Sequence, residues 1–382
     1  MTAEKTKACV SCASTTDSAL RRGQCRRCRG RSDRPETIVA AATPAQQLQS
    51  DREATKLRSE VAGLKLRYKE ALGTIESLES DLGVSRTLAA QTDIYTIQPK
   101  VTGQGSNEGT VVLMASDWHS EELVGPEVGG LNRHNPEIAE KRAVAFFRSG
   151  LRLTQLLQKD IKIPTMVLPL LGDFITGDIH GQESAELCAE PPMEAIVTVQ
   201  RRLLSGIEFL LDHSKLDLVI PCHSGNHARQ TKTTHFSKEN GHSLEYLMYR
   251  HMAAYFRTEK RVTFIVPPGP HSYIDIYGKT IRAQHGHMVK FGGGVGGLSI
   301  PLQKKIAKWN QARWADYDLL GHFHAQSDFG NAIVNGSQIG YNGFALAIGA
   351  AYEPPSQTLF LMDRKRQRKT CLWPIVYKEE AA

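Results

Sequence analysis

Long apolar runs are missing from this sequence. None approaches the roughly 18 residues that a membrane-spanning helix needs. The N-terminus, Met1 to Lys5, leads into cysteines and arginines rather than an apolar signal core. Neither a membrane-spanning nor a secreted protein is expected, and a cytoplasmic location follows by default (host cytoplasm for a phage-encoded chain). Cysteine is scarce, with seven in 382 residues. Cys9, Cys12, Cys25 and Cys28 crowd the N-terminus, while Cys188, Cys222 and Cys371 lie far apart. That distribution gives no disulfide framework. The scattered three read as small buried apolar residues. A large excess of either charge is also absent. The net charge of +7 favours polyanionic partners such as nucleic acid without requiring one.

Residues 1–35 lack the apolar content of an ordinary core, so a metal has to hold them together. Two C-x2-C pairs, Cys9/Cys12 and Cys25/Cys28, match a four-thiolate structural zinc site. Arg21, Arg22, Arg26, Arg27, Arg29, Arg31 and Arg34 surround the second pair. They suit nucleic acid contact, or serve as a solvated basic tail or a protein-docking module. From 45 to 92 proline is absent and glycine is rare. Leu57, Leu64, Ala71 and Leu78 repeat every seven residues, and Val61, Tyr68, Ile75 and Leu82 repeat four residues after them. Branched residues at a and leucine at d predict a parallel two-stranded coiled coil and a homodimer. A single helix packed on the main domain is the alternative. Residues 93–109 read as a linker.

From 110 to 378 strands and helices alternate, which predicts an α/β domain. Expected strands are Val111–Met114, Thr165–Leu171, Leu216–Ile220, Ser272–Tyr277, Thr280–Ala283, Tyr317–Leu320, Phe344–Ala350 and Thr358–Met362. Expected helices run from Asn135 to about Gln158, over Met193–Leu211, and onward from Ser299. Short polar clusters follow five of the strands: Asp117 and His119; Asp173; Asn226 and His227; His285 and His287; His322 and His324. Ligands of open α/β sheets collect at the carboxyl ends of strands. Carboxylate and imidazole together suit divalent transition metals. Gly172, Gly225 and Gly321 allow sharp turns beside them.

The series D-x-H, G-D, G-N-H, a further His and G-H-x-H, in that order, resembles the calcineurin-like metallophosphoesterase superfamily. The resemblance implies a four-layer sandwich of mixed sheets flanked by helices, preceded here by the zinc module and coiled coil. It implies that Asp117, His119 and His324 bind one metal, that Asn226, His285 and His322 bind the other, and that Asp173 bridges. Mn2+ is the expected ion, with Fe2+, Zn2+ or Mg2+ as alternatives. The implied reaction is attack on phosphorus by a hydroxide bridging the metals, with His227 assisting the leaving group. His287 competes with His285 for one ligand role and otherwise either supports the ligands from behind or faces substrate. Ala228 and Arg229 follow the G-N-H block where an acid is common, and Arg229 could grip a substrate phosphate.

Residues 110–375 are most similar to phage-encoded proteins described as DNA repair exonuclease-like metallophosphatases, related to the nuclease subunit of the bacterial SbcCD complex. Gly293–Leu302, Val334–Ser337 and Gly340–Asn342 contribute to that resemblance. It implies a DNA exonuclease, with an ATPase partner left open. A phosphomonoesterase (a protein phosphatase or nucleotidase) and a non-catalytic nucleic-acid-binding adaptor on the same scaffold stay open beside it. The run Gly292–Gly297 ahead of the Ser299 helix reads as a phosphate-contacting loop or a turn. Lys304, Lys305, Lys308, Trp309, Arg313 and Trp314 read either as a base-stacking face or as half core and half solvated.

Overall fold

The computed structural model describes residues 43–90, 94–100, 107–179, 181, 185–235, 239–291 and 296–377. The zinc module and the first part of the glycine run lie outside the described residues. The chain divides into two units, residues 1–74 and 75–382. Helix α1 (Pro44–Ala90) crosses the boundary. It is unbroken for 47 residues, as the lack of proline allows. Leu57, Val61, Leu64, Tyr68 and Ile75 are exposed along it.

The second unit holds two six-stranded mixed sheets. The first runs in the order β12 (Arg368–Val376), β11 (Ser356–Asp363), β2 (Glu108–Leu113), β3 (Lys162–Val167), β4 (Asp217–Pro221), β5 (Val262–Ile265). β2 to β5 are parallel; β11 and β12 form an antiparallel hairpin on the β2 edge. The second sheet runs β1 (Tyr95–Ile97), β6 (Ser272–Ile276), β7 (Lys279–Ala283), β8 (Tyr317–Leu320), β10 (Ala332–Val334), β9 (Ser327–Asp328).

Strand alternation sorts the core into layers. Val112, Val167, Val219 and Phe360 of the first sheet pack against Ile274, Ile281, Leu319 and Ile333 of the second. On the opposite face of the first sheet, Val111, Leu113, Met166 and Leu218 meet helices α2 (Pro136–Leu157), α3 (Pro192–His213) and α4 (Leu244–Tyr255) through Phe146, Leu203 and Met248. On the outer face of the second sheet, Tyr273, Leu320 and Val334 meet Leu302, Ile306 and Trp309 of α5 (Ser299–Ala312). The order is therefore helix, sheet, sheet, helix, each face burying one period of a two-residue repeat. Asn135 caps α2, its Oδ1 accepting from Ile138 N at 2.8 Å with Pro136 next.

The structure revises several expectations. Residues 95–97, inside the expected linker, form β1 and pair with β6. The Thr165–Leu171 run divides, because the ladder ends at Val167 and Leu170 continues only through isolated bridges to Ala115 and Cys222. Residues 344–350 are not a strand. Asn342 Oδ1 accepts from Ala345 N at 3.0 Å and starts the short helix α6 (Gly343–Ala347) instead. Of the three scattered cysteines only Cys222 is buried; Cys188 is half-buried and Cys371 is exposed. In α5, Trp309 is core while Lys304 and Lys308 are exposed, as is Trp314 just past the end of the helix. Trp314 precedes β8, whose other end leads to His322, so it lies away from the strand ends discussed next.

Candidate metal centre

The segments that follow β2, β3, β4, β7 and β8 bring the expected residues together. The ligand atoms of Asp117, His119 and His324 lie within 4.8 Å of one another, as do those of Asp173, His285 and His322. A third group, His119, Asp173 and His227, spans the two at the same separation. Asn226 Oδ1 lies 3.2 Å from His285 Nε2, and Asp173 Oδ2 lies 2.8 Å from it. His287 joins none of the three groups; its ring stands 5.5 Å from that of His285.

The backbone is held in an uncommon conformation to achieve this. Asp117, His119, Asp173, His322 and His324 have φ between 45° and 72°. Left-handed non-glycine residues cost on the order of 1–3 kcal/mol each and persist only where surrounding bonds over-determine them. Such bonds are present. His322 N donates to both Asp117 carboxylate oxygens at 3.0 Å, and His227 N donates to Asp173 Oδ1 at 2.8 Å. The turns carrying Asp173 and Asn226 lie against each other so closely that a Cβ on Gly172 would overlap Gly225 N, and one on Gly225 would overlap Asp173 Oδ1.

Carbonyls and a hydroxyl select the imidazole tautomers. His285 Nδ1 donates to Leu171 O at 2.6 Å and His227 Nδ1 to Thr176 O at 2.9 Å. A carbonyl can only accept, so Nδ1 carries the proton in each. His119 Nδ1 lies 2.9 Å from Thr176 Oγ1, which donates to Glu122 Oε2 at 2.8 Å. That hydroxyl's proton is committed, so His119 Nδ1 donates to it. The lone pair of His119 then sits on Nε2, which is buried and without a hydrogen-bond partner among the described residues. A buried acceptor left without a partner is costly, and a cation relieves it.

The charge balance has the same sense. Burial holds His119 well below its usual pKa and pushes His322 down to about 3; both rings are neutral at pH 7 and offer a lone pair. Burial opposes charge on His285, yet the Asp173 carboxylate outweighs it and raises the pKa to about 10. Burial likewise opposes ionisation of Asp173, but His285 and His227 draw its pKa well below the carboxylate range. The pair stabilises positive charge between its atoms, which a cation supplies in place of a proton. The donor set suits divalent transition metals.

Several supporting residues escaped sequence reasoning. Glu245, in the first turn of α4, accepts from Phe174 N and Gly225 N, both at 2.7 Å, and so joins two of the turns. Burial, then the Asp173 charge, lifts its pKa to about 8. His134 Nε2 lies 3.1 Å from His119 O, and Arg142 Nη1 lies 3.1 Å from His134 Nδ1. Gln357 holds Ser116 N at 3.0 Å, and Asn335 Nδ2 donates to Ser116 Oγ at 2.9 Å. Asn335 and Asn342 belong to segments quoted above for the family resemblance; Asn342 Nδ2 donates to Glu122 Oε1 at 2.7 Å. The others carry no local signal, because their partners are distant backbone groups. Arg229 braces its own turn through Asn226 O and, at 3.1 Å, Thr231 O.

No protein-family model and no curated protein matches the chain. Among solved structures it is similar to hypothetical protein PH1004 from Pyrococcus horikoshii OT3. That match has 12% identity and a TM-score of 0.34, covering 71% of this chain and 89% of the other. It is also similar to the sulfate thiohydrolase SoxB of Termus thermophilus. Here identity is 10% and the TM-score 0.28, covering 73% of this chain and 57% of the other. At such scores the centre has to be read from its own residues. They define an α/β protein with a candidate metal centre at the carboxyl ends of its strands. No helix among the described residues is long and apolar enough to cross a membrane.

Proposed function

We propose that this protein is a two-metal-dependent phosphodiesterase of the calcineurin-like metallophosphoesterase type that acts on nucleic acid, with DNA exonuclease the leading case. The observation that carries this is the pair of ligand groups, Asp117/His119/His324 and Asp173/His285/His322, spanned by His119, Asp173 and His227. A pair of divalent cations, Mn2+ first among them, supplies Lewis acidity at phosphorus and makes water nucleophilic near neutral pH. Asp117, His119 and His324 would hold one cation, Asn226, His285 and His322 would hold the other, and Asp173 would serve both. Asp117, His119, Asp173 and His285 are buried, whereas Asn226, His227, His322 and His324 are partly exposed. The partly exposed rim is where substrate enters. His227 keeps its Nδ1–H on Thr176 O, and in its doubly protonated form the Nε2–H hydrogen-bonds the departing oxygen and passes its proton to it, leaving the neutral Nδ1–H ring.

The mild basic charge supports a polyanionic substrate over a small neutral one. The exposed heptad residues of α1 support a homodimer through a coiled coil. The test compares the Mn2+-loaded protein with Asp173→Ala on end-labelled single- and double-stranded DNA and on nitrophenyl phosphate mono- and diesters. Cleavage of DNA and the diester, abolished in the variant, is the expected outcome. Turnover of the monoester alone retires the nuclease reading in favour of a phosphomonoesterase, and DNA binding without turnover leaves an adaptor.

A further inference from the structure

Beside the metal centre the chain builds a second pocket that the reaction described above does not use. It is lined by Gly225, Arg229, Thr231, Thr234, His235 and His242. Gly225 immediately precedes Asn226, so the pocket shares a wall with the centre. Its other walls are the two limbs of the loop between Asn226 and α4. The loop is closed at its base: Gln230 N donates to His242 O at 2.8 Å, and Leu244 N to Ala228 O at 2.9 Å. Arg229 and Ser243 form a bridge across it. Glu245, one residue past that closure, accepts through Oε2 the Gly225 N–H bond already described. The pocket is thus fixed to the centre from both ends.

Its chemistry is that of an anion site. An arginine, two histidines and two threonines line it, and no carboxylate does so among the described residues. Arginine carries five N–H donors in a planar fork. Arg229 spends Nε on Thr231 O and one Nη1 donor on Asn226 O, which immobilises the fork while its Nη2 donors keep no partner among the described residues. Preorganised arginine of this kind recognises phosphate bidentately.

We infer that this pocket is a second phosphate subsite, which holds the phosphate next to the one that reacts and so selects a polyphosphate chain, foremost a nucleic acid backbone. The inference rests on the phosphodiesterase reading for the position of the reacting phosphate. It deepens that reading, because a nucleic acid strand carries a further phosphate on either side of the scissile one.

The test uses the full-length protein in EDTA and measures equilibrium binding of two short ligand pairs. The first pair is the thymidine dinucleotide TpT and its doubly phosphorylated form pTpTp; the second is AMP and ADP. In the wild type pTpTp binds about tenfold more tightly than TpT. In Arg229→Gln and in Thr234→Val, which removes only a hydroxyl, that ratio falls toward one. The Arg229 variant also loses about one unit of the slope of log affinity against log salt. Thermal melting confirms that the variants fold. A wild-type ratio near one for both pairs overturns the subsite, as does a ratio unchanged in the variants. A ratio above one only for ADP over AMP keeps the subsite and overturns the backbone as its ligand. Mn2+-dependent hydrolysis of bis(nitrophenyl) phosphate by the wild type, measured alongside, reports on the phosphodiesterase reading alone.

Discussion

His227 differs from its neighbours in being partly exposed while its ring is aimed by a backbone carbonyl, Thr176 O at 2.9 Å. A group held this way acts on the leaving oxygen, and the need for it depends on how basic that oxygen is. His227→Gln is therefore expected to slow cleavage of DNA, with its poor alkoxide leaving group, by roughly 100- to 10,000-fold. Bis(nitrophenyl) phosphate, whose phenolate departs without help, should slow far less. Parallel kcat/KM measurements on the two substrates check this; equal losses would make His227 a structural residue or a ligand. Sequence order alone picked out residues that the fold gathers into the three groups, because each lies within a few positions of a strand end. It preferred His285 to His287 only because His285 lies nearer the strand end. The structure separates them through Leu171 O, which aligns His285 Nε2 on Asp173 and Asn226.

At the scale of elements, α4 does more than cover the sheet. Its Glu245 accepts the Phe174 and Gly225 N–H groups, one on each carboxylate oxygen, and thereby sets the distance between the turns after β3 and β4. Glutamine can accept on one oxygen only, so Glu245→Gln leaves one buried N–H unpaired, at a cost of about 1–3 kcal/mol. The pH dependence follows from the raised pKa. Burial, and then the Asp173 charge, hold the Glu245 pKa up at about 8, against 4.5 for a free glutamate carboxyl. Between those values the folded state holds more protons than the unfolded state. The contribution of this residue is therefore fully present below the unfolded value and is lost as pH rises toward 8. Urea denaturation in EDTA from pH 5 to 8.5 should show stability falling less steeply with pH in Glu245→Gln than in the wild type. A steeper or unchanged slope would refute the assignment.

Neither Glu245 nor Thr176 was legible in the sequence, because their partners are 20 to 71 residues away and are backbone groups or distant histidines. The elements around them were legible where a local signal existed. Asn135 and Pro136 mark the start of α2, and the compact apolar run Tyr317–Leu320 is β8 as expected. β1 was not legible: three residues in a stretch rich in glycine and proline become a strand only because the β6 edge offers them partners. Phe344–Ala350 misled in the opposite way, its apolar content suggesting a strand while the Asn342 cap and the lack of a neighbouring edge favour a helical turn.

At the scale of the whole molecule the largest unmet demand is along α1. A 47-residue helix with Leu57 60%, Val61 48%, Leu64 60%, Tyr68 68% and Ile75 50% exposed leaves apolar area in water at about 25 cal/mol per Å2. Those residues recur at a and d of a heptad, so a second copy of the same helix in parallel register buries all of them together. Sedimentation equilibrium at micromolar protein is expected to give twice the 42.3 kDa chain mass. Val61→Asp with Leu64→Asp, placing charge at one a and one d position of each strand, should return the monomer mass. The metal centre is formed wholly from residues of the second unit, between Asp117 and His324, so the double variant should retain Mn2+-dependent turnover of small phosphodiesters. A wild-type monomer would dismiss the coiled coil. A dimer that survives the double substitution would place the contact on other surfaces.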